Sequence, residues 1–229
     1  MLVGKAITPI PKGGLMTIEN VHHASQDYAY RKVNYEWNTP DVSNFTDRTF
    51  NGYHRADGRV GTANYWLFVP TVFCENRNLD VIKEALYNNL GYTVTDKYKQ
   101  FTEQLLEAYQ SGDDVSAFEI DKLAPVEPLK KRVFKNVDGV KFLNHQGGCG
   151  GTRQDSALLS QLLAAYADHP NVAGITILSL GCQHLQTQNL LDDIKARNPS
   201  FNKRVLVFEQ QKSQSEEQLI KDAILQTFI

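Results

Sequence analysis

The chain has 229 residues, of which 41% are hydrophobic and 22% are charged. This ordinary globular composition excludes collagen-like, coiled-coil and wholly disordered proteins, and the length suits one large domain with an appendage. Lysine and arginine number 24 against 26 acids, a formal net charge of −2. The charge therefore indicates no nucleic-acid or anionic-membrane partner, and an anionic substrate would need a local binding site.

The cysteine content and the start of the chain favour a cytoplasmic protein. Cys74, Cys149 and Cys182 are an odd number of cysteines at wide spacings, which does not fit a disulfide framework. The first residues lack the charged start, apolar core and cleavage site of a signal peptide. No apolar run approaches the roughly 18–20 residues that span a bilayer. We therefore expect reduced thiols and no membrane partner.

The first fifty residues differ from the rest of the chain. Short apolar segments at 3–10 and 15–21 flank a turn at 11–14, which predicts a β-hairpin too small to hold a core alone. Residues 25–50 carry six aromatics among Asn, Asp, Thr and Pro without helical or strand periodicity. We interpret this stretch as an extended linker whose aromatics anchor it to a neighbouring surface.

From residue 50 onward, strand patterns alternate with helix patterns. Short runs rich in apolar, β-branched and aromatic residues predict strands at 65–73, 140–144, 172–180 and 204–208. Apolar residues at helical spacing predict helices at 79–90, 98–109, 156–166, 185–196 and 216–228. Such alternation is typical of βαβ units, whose right-handed crossovers cover both faces of a sheet. The predicted fold class is α/β, with a mainly parallel, Rossmann-like sheet preceded by a short β and extended N-terminal segment.

Chemically useful residues follow the predicted strands. Ligands of open parallel sheets bind outside the carboxyl ends of the strands. The segments at those ends are Cys74–Asn78, His145–Asp155, Gly181–His184 and Glu209–Gln211. All three cysteines fall in them, which favours a shared site. The alternative is chance, since polar residues are common at turns and free cysteine often packs as a small hydrophobe.

The turn after the second strand has the sharpest local signal. Four glycines flank Cys149 directly between a strand and a helix: Gly147, Gly148, Gly150 and Gly151. Glycines allow close backbone approach, and a helix start offers unpaired N–H groups. Thr152 and Asp155 have capping-box spacing, and Arg153 adds a bidentate donor. The turn is predicted to hold an anion, although the Walker pattern and the usual GxGxxG are absent. The alternative is a tight structural turn with a capped helix.

Cys149 and His145 each allow several roles. Cys149 suits a nucleophile, a soft metal ligand or a small residue that fits the turn, and a helix N-terminus favours the first two. His145 suits a general base, a ligand or a hydrogen-bonded turn residue. Arg55 and Arg59 lie beside an Asp-Gly turn and suit either ligand contact or a solvated surface.

Three motifs in order resemble the altronate dehydratase/galactarate dehydratase family. They are G-Y-H-R-A-D-G-R-V-G at 52–61 with P-T-V-F-C-E-N-R-N at 70–78, H-Q-G-G-C-G-G-T-R-Q-D at 145–155, and S-L-G-C-Q at 179–183. The resemblance covers roughly residues 50–229. The aromatic-rich first motif is closer to the altronate branch.

The resemblance also implies a domain plan. Members carry a small N-terminal β-rich domain and a further C-terminal region. We interpret residues 1–49 as a remnant of the former plus the extended linker, and residues 50–229 as the α/β domain. Residues 17–20, Thr-Ile-Glu-Asn, stand where the family has a His-x-His-Asn run, so the ligand role of those histidines is not carried over. The missing C-terminal region or a homo-oligomer is the expected macromolecular partner.

The activity implied by the resemblance is that of a hydro-lyase. It would convert D-altronate, or alternatively galactarate, to a 2-keto-3-deoxy sugar acid and water, 2-dehydro-3-deoxy-D-gluconate in the case of altronate. Fe²⁺ is the implied cofactor, with Mn²⁺ as the alternative metal. A metal would stabilise charge on the substrate carboxylate, a base would take the C2 proton, and an acid would help the C3 hydroxyl leave.

On this hypothesis the candidate residues fall into three sets. The catalytic set comprises His145 and Glu75 as acid, base or ligand, with Cys149 and Arg153. The substrate-binding set comprises Arg59, Arg77, Gly147, Gly148, Gly150, Gly151, Thr152 and Gln183. The metal set comprises Cys149, Cys182 and Cys74.

Three alternatives stay open at this point. Three cysteines from three turns also suit an iron–sulfur cluster with one open iron. Cys149 with His145 suits thiol-based acyl transfer. The chain also suits a non-catalytic domain that binds a sugar acid.

Overall fold

The computed structural model describes residues 4–23, 36–117 and 127–229. The chain divides into two compact units, residues 1–49 and residues 50–229, and each is described by itself. Within the described ranges, no helix combines the length and the apolar character needed to cross a bilayer.

The N-terminal unit contains one small antiparallel ladder. Strands β1 (Gly4–Ala6) and β2 (Val21–His23) pair in antiparallel orientation. The predicted hairpin is therefore confirmed, but its second strand begins later than expected. The reason is a turn held by Asn20, whose side chain accepts from the Thr17 N–H and donates to the Leu15 carbonyl.

The predicted linker is only partly visible. Residues 24–35 lie outside the described residues, and residues 36–50 contain only a short 3-10 turn at Ser43–Phe45. The side chains of Trp37 and Phe45 are more than half exposed. The anchoring role of these aromatics stays a prediction.

The larger unit contains six strands and five helices in its described part. The strands are β3 (Tyr53–His54), β4 (Val60–Gly61), β5 (Tyr65–Pro70), β6 (Gly139–Phe142), β7 (Val172–Ser179) and β8 (Arg204–Glu209). The helices are α1 (Asn76–Asn89), α2 (Lys97–Ser111), α3 (Arg153–Asp168), α4 (Thr187–Arg197) and α5 (Glu216–Phe228). Every strand and helix predicted beyond residue 50 is therefore present.

The last four strands form one parallel sheet in the order β6-β5-β7-β8. Helices α3 and α4 pack on one face through Leu163 and Leu190, and α1 and α5 pack on the other through Leu79 and Leu219. The predicted α/β class with helices on both faces is confirmed. The direction of the crossovers reverses between β5 and β7, which is where sheets of this kind bind ligands.

Strand β5 ends at Pro70, three residues before the predicted end. A proline has no N–H to continue the ladder, and the chain turns through a 3-10 turn at Phe73–Glu75 directly into α1. Helix α1 consequently begins at Asn76 rather than near Leu79. This early start draws Glu75 and Asn78 into the interior, where both are buried.

Candidate functional site

Three strand-to-helix turns meet at the carboxyl edge of the sheet. We call them the β5 turn (71–75), the β6 turn (145–152) and the β7 turn (180–186). The Phe73 N–H donates to the Gly147 carbonyl at 3.0 Å. The Gly148 carbonyl accepts from the N–H groups of His184 at 2.9 Å and Leu185 at 3.2 Å. Main-chain hydrogen bonds thus join all three turns into one surface.

Gly148 is the contact point of these turns. Its φ is +94°, and an added Cβ would lie 2.1 Å from the Thr71 carbonyl oxygen and 2.7 Å from the Val72 Cα. Only glycine fits this position. Gly150 also has a positive φ of +78° but faces open space. The glycine-rich turn therefore packs backbone against backbone, and the binding of a substrate by its amides stays a prediction.

His145 is held by the backbone through both ring nitrogens. Its Nδ1 accepts from the Gly147 N–H at 3.1 Å, so its Nε2 carries the proton and donates to the Pro70 carbonyl at 2.8 Å. The Asn76 side chain also donates to the His145 carbonyl at 2.8 Å. This arrangement gives the histidine a positioning role in the β6 turn. It leaves neither ring nitrogen for Cys149, which removes the base that thiol-based acyl transfer needs.

The three cysteines occupy all three turns, as the sequence indicates. Cys74 and Cys182 are exposed, Cys149 is half-buried, and all three are free thiols. Across the described part of the chain, no group of three His, Cys, Asp or Glu side chains is arranged to hold a metal ion. The residues present therefore do not fit Fe²⁺, Mn²⁺ or an iron–sulfur cluster as a complete site.

Glu75 and Asn78 form a buried pair beneath the β5 turn. Their side chains are 0% and 1% exposed, and the Asn78 Nδ2 donates to Glu75 Oε2 at 2.9 Å. The other oxygens, Glu75 Oε1 and Asn78 Oδ1, have no partner. Burial raises the pKa of Glu75, against the lowering effect of the Asn78 hydrogen bond. A protonated carboxyl that donates to the Asn78 amide oxygen would satisfy both orphaned oxygens.

The start of α3 is capped as the sequence predicts. Thr152 Oγ1 accepts from the Asp155 N–H at 3.1 Å, and Asp155 Oδ2 accepts from the Thr152 N–H at 2.8 Å. Hydrogen bonds from Thr152 lower the pKa of Asp155. The Thr152 hydroxyl is thereby committed to the cap. The next residue, Arg153, is exposed and forms no salt bridge with the described residues.

Arg153 opens onto a cleft of about 600 Å³ between α3 and α4, which we call the α3–α4 cleft. The β7 turn supplies Gln183 and His184 to its lining, and α4 supplies Asp192 and Asp193. Sequence reasoning places His184 at this edge without a role and misses Asp192 and Asp193, which the packing of α4 against α3 brings into the same cleft. The lining of the cleft thus includes a guanidinium, an imidazole and two carboxylates.

Gln183 supports the wall of this cleft. It is 2% exposed, and its Oε1 accepts from the Gly181 N–H at 2.7 Å. Its Nε2 donates to the Ser179 hydroxyl at 2.7 Å. Both ends of the Gln183 amide thus fix the β7 turn. The predicted contact of Gln183 with substrate would require a second hydrogen bond to its Oε1 or Nε2.

Arg59 lies away from the three turns, whereas Arg77 lies in the first turn of α1, directly after the β5 turn. Arg59 contacts the carboxylates of Asp57 at 2.5 Å and Asp168 at 2.6 Å. Asp168 ends α3, whose 16 residues place it about 24 Å from the start of that helix. Arg59 therefore lies at the amino edge of the sheet, and the prediction that it joins the other substrate-binding residues does not agree with the structure. Arg77 is exposed and pairs with Glu216 of α5 at 3.3 Å.

The amino edge instead carries a structural charge network. Burial would raise the pKa of Asp168, but hydrogen bonds from Arg59 and Asn198 outweigh it and lower that pKa. Lys203 donates to the carbonyls of Ala167 at 2.9 Å and His169 at 2.7 Å. Burial lowers the pKa of Lys203 to about 8, assisted by the positive charge of Arg55. These contacts fix the 52–61 motif and the end of α3 to the sheet.

Comparisons with known proteins identify the family of the chain. Residues 52–228 match the family model of the D-galactarate dehydratase/altronate hydrolase second domain. The altronate dehydratase of Bacillus subtilis (strain 168) is 26% identical over 160 residues, which are 68% of this chain and 24% of that protein. The chain thus spans about a quarter of the length of that curated relative. No solved structure matches the chain. The chain belongs to the D-galactarate dehydratase/altronate hydrolase family of sugar-acid dehydratases, in the part that corresponds to its second domain.

Proposed function

We propose that this domain binds a sugar acid for dehydration, with D-altronate as the substrate and galactarate as the alternative. The observation that carries the proposal is the α3–α4 cleft, where Arg153 and His184 line the same cavity next to the β7 turn. The family relationship supports the reaction class.

The reaction places definite demands on this cleft. Loss of the C2 proton moves negative charge onto the substrate carboxylate, and the C3–O bond breaks as the departing hydroxyl takes up a proton to become water. The resulting enol then takes a proton at C3 to give the 2-keto acid. The guanidinium of Arg153 is suited to the carboxylate, because its two parallel N–H donors match the two oxygens.

His184 is the titratable group best placed to move the proton. Imidazole is the side chain that most often serves as a general acid or base, and His184 lines the same cleft as Arg153. His145 is bonded at both ring nitrogens, and Glu75 is fully buried beside Asn78. We therefore assign proton transfer to His184, with His145 and Glu75 positioning the turns.

Binding and turnover by the same chain test the proposal. D-altronate and galactarate are titrated into the chain by calorimetry, and 2-keto acid release is followed anaerobically with and without ferrous iron. Arg153→Ala should weaken binding at least tenfold, because a bidentate charged contact is lost. Arg132→Ala is the matched control, since this exposed arginine pairs with Asp138 at 3.5 Å beside the amino end of β6, away from the cleft.

The outcomes separate the candidate functions. Binding with turnover supports a dehydratase, and binding without turnover supports a sugar-acid-binding domain that depends on the rest of the enzyme for chemistry. If neither acid binds, or if the two arginine variants lose affinity equally, the assignment of the α3–α4 cleft is wrong. His184→Gln should reduce turnover while binding persists.

A further inference from the structure

We propose that the α3–α4 cleft accepts sugar acids with a single carboxylate and rejects those with a carboxylate at both ends. This inference rests on the proposed function and specifies its substrate class. It is carried by the distribution of charge along the cleft, which is cationic at one end and acidic at the other.

The two ends are fixed by the length of α3. Arg153 is its first residue, and Ser160 lies seven residues further along the same helix, which corresponds to about 10 Å. The Ser160 hydroxyl donates to Asp193 Oδ2 at 2.5 Å and so attaches α4 at that depth. Asp192 lies beside it in the cleft lining. A negative region thus begins roughly two helical turns along α3 from the backbone of Arg153.

The acidic end is suited to hydroxyl groups. A carboxylate offers about four acceptor positions, and Asp193 uses one of them for Ser160. Asp192 accepts from Gln188 at 2.8 Å and keeps its remaining acceptor positions. Asn189 and Gln161 line the same hollow and can donate or accept. The unused acceptor positions of these carboxylates can accept hydrogen bonds from the successive hydroxyls of a polyol chain.

The length of the ligand brings its far end to these aspartates. Five carbon–carbon bonds of about 1.5 Å span roughly 6 Å in an extended six-carbon acid, and the carboxylate oxygens add to that reach. With one carboxylate on Arg153, a terminal CH₂OH would donate to Asp192 or Asp193. A second carboxylate there would meet like charge, which opposes binding strongly in a partly desolvated site.

The test compares an aldonate with an aldarate on the intact chain. Dissociation constants for D-altronate and galactarate are measured by calorimetry at neutral pH, where both acids are ionised. We expect D-altronate to bind at least tenfold more tightly. In the Asp192→Asn/Asp193→Asn double variant, the affinity for galactarate should rise at least fivefold. The affinity for D-altronate should change less than threefold.

Asp222→Asn is the matched control, because Gln218 donates to Asp222 at 2.9 Å in the same i,i+4 arrangement on the other face of the sheet. The ratio of the dissociation constants for galactarate and D-altronate should be the same in this variant as in the wild-type chain. Asp192→Asn alone leaves the Ser160–Asp193 bond intact and serves if the double variant does not fold.

Each result has one meaning for the proposal. Equal or better binding of galactarate by the wild-type chain overturns the inference and leaves the proposed function standing. A preference for D-altronate that the aspartate variants do not change assigns selectivity to other residues and also overturns it. Failure of both acids to bind overturns the proposed function together with the inference.

Discussion

The Cα of Gly148 packs directly against the carbonyl of Thr71, so closely that an added Cβ would lie 2.1 Å from the oxygen. The same glycine accepts main-chain hydrogen bonds from the β7 turn. One residue thereby joins the three turns, of which the β7 turn lines the α3–α4 cleft. This packing alone requires a glycine at position 148, whether or not the turn also binds a ligand.

Gly148→Ala should therefore damage stability and binding together. The positive φ and the overlap with Thr71 each cost about 1–3 kcal/mol, and the turn must move to relieve them. We expect the free energy of unfolding to fall by about 2–5 kcal/mol, measured by urea denaturation. D-altronate affinity should fall in parallel.

Gly150→Ala provides the comparison within the same turn. Gly150 has a positive φ of +78° and open space where a Cβ would lie, so only the backbone cost of about 1 kcal/mol applies. If both alanine variants lose the same stability, the close contact with Thr71 does not hold the turn.

Glu75→Gln should remove a pH dependence of stability. Because burial raises the pKa of Glu75 in the folded chain, the folded state holds a proton that the unfolded state has lost above the ordinary glutamate pKa. Stability contributed by Glu75 therefore falls as pH rises through that window. Gln keeps the pairing with Asn78 without titrating, so the variant should gain stability relative to the wild-type chain as the pH rises above the ordinary glutamate pKa. If the difference in the free energy of unfolding between the variant and the wild-type chain does not change with pH, Glu75 is not protonated in the folded chain.

Arg59→Met should reduce the stability of the chain without changing its affinity for the substrate. The change leaves Asp168, which is 5% exposed, without its closest cation, although Asn198 still donates to it. Loss of charged hydrogen bonds of this kind costs about 1–3 kcal/mol, to be measured by thermal and urea unfolding. An unchanged melting temperature with weakened binding of D-altronate would instead restore Arg59 to the substrate site.

Lys203→Met should reveal a titration at alkaline pH. The pKa of Lys203 is about 8 in the folded chain against 10.5 for an ordinary lysine. The unfolded state therefore binds more protons between these values, and stability contributed by this group rises with pH across that window. The urea midpoints of the wild-type chain and the variant are measured at about pH 7.5 and about pH 9.5, and the difference between the two proteins should change between these pH values. Parallel midpoints would contradict the burial of the ammonium group.

Much of the fold could be predicted because its signals are local. Alternation of short apolar runs with helical periodicity identifies four strands and five helices, and parallel pairing then brings the cysteine-containing turns to one edge. The capping box at Thr152 likewise depends only on neighbouring residues. These features need no knowledge of distant contacts.

The rest of the site depends on contacts between distant segments. The sequence favours Arg59 as a substrate-binding residue because it lies beside the Asp57-Gly58 turn of the 52–61 motif, but its contact with Asp168 holds it at the opposite edge. Asp193 reaches the α3–α4 cleft only because α4 packs beside α3 and bonds Ser160. Glu75 is buried because α1 starts three residues early. No local pattern indicates any of these three placements.

The joining of three turns through Gly148 also has a consequence for how the domain folds. Thr71, Gly148 and His184 belong to segments that are far apart along the chain, so their meeting requires loop closures that are entropically expensive. The turns acquire their final shape only after β5, β6 and β7 have aligned in the sheet. We therefore expect the cleft to appear late, at the end of refolding, with the affinity for a sugar acid recovered after most helical signal has returned.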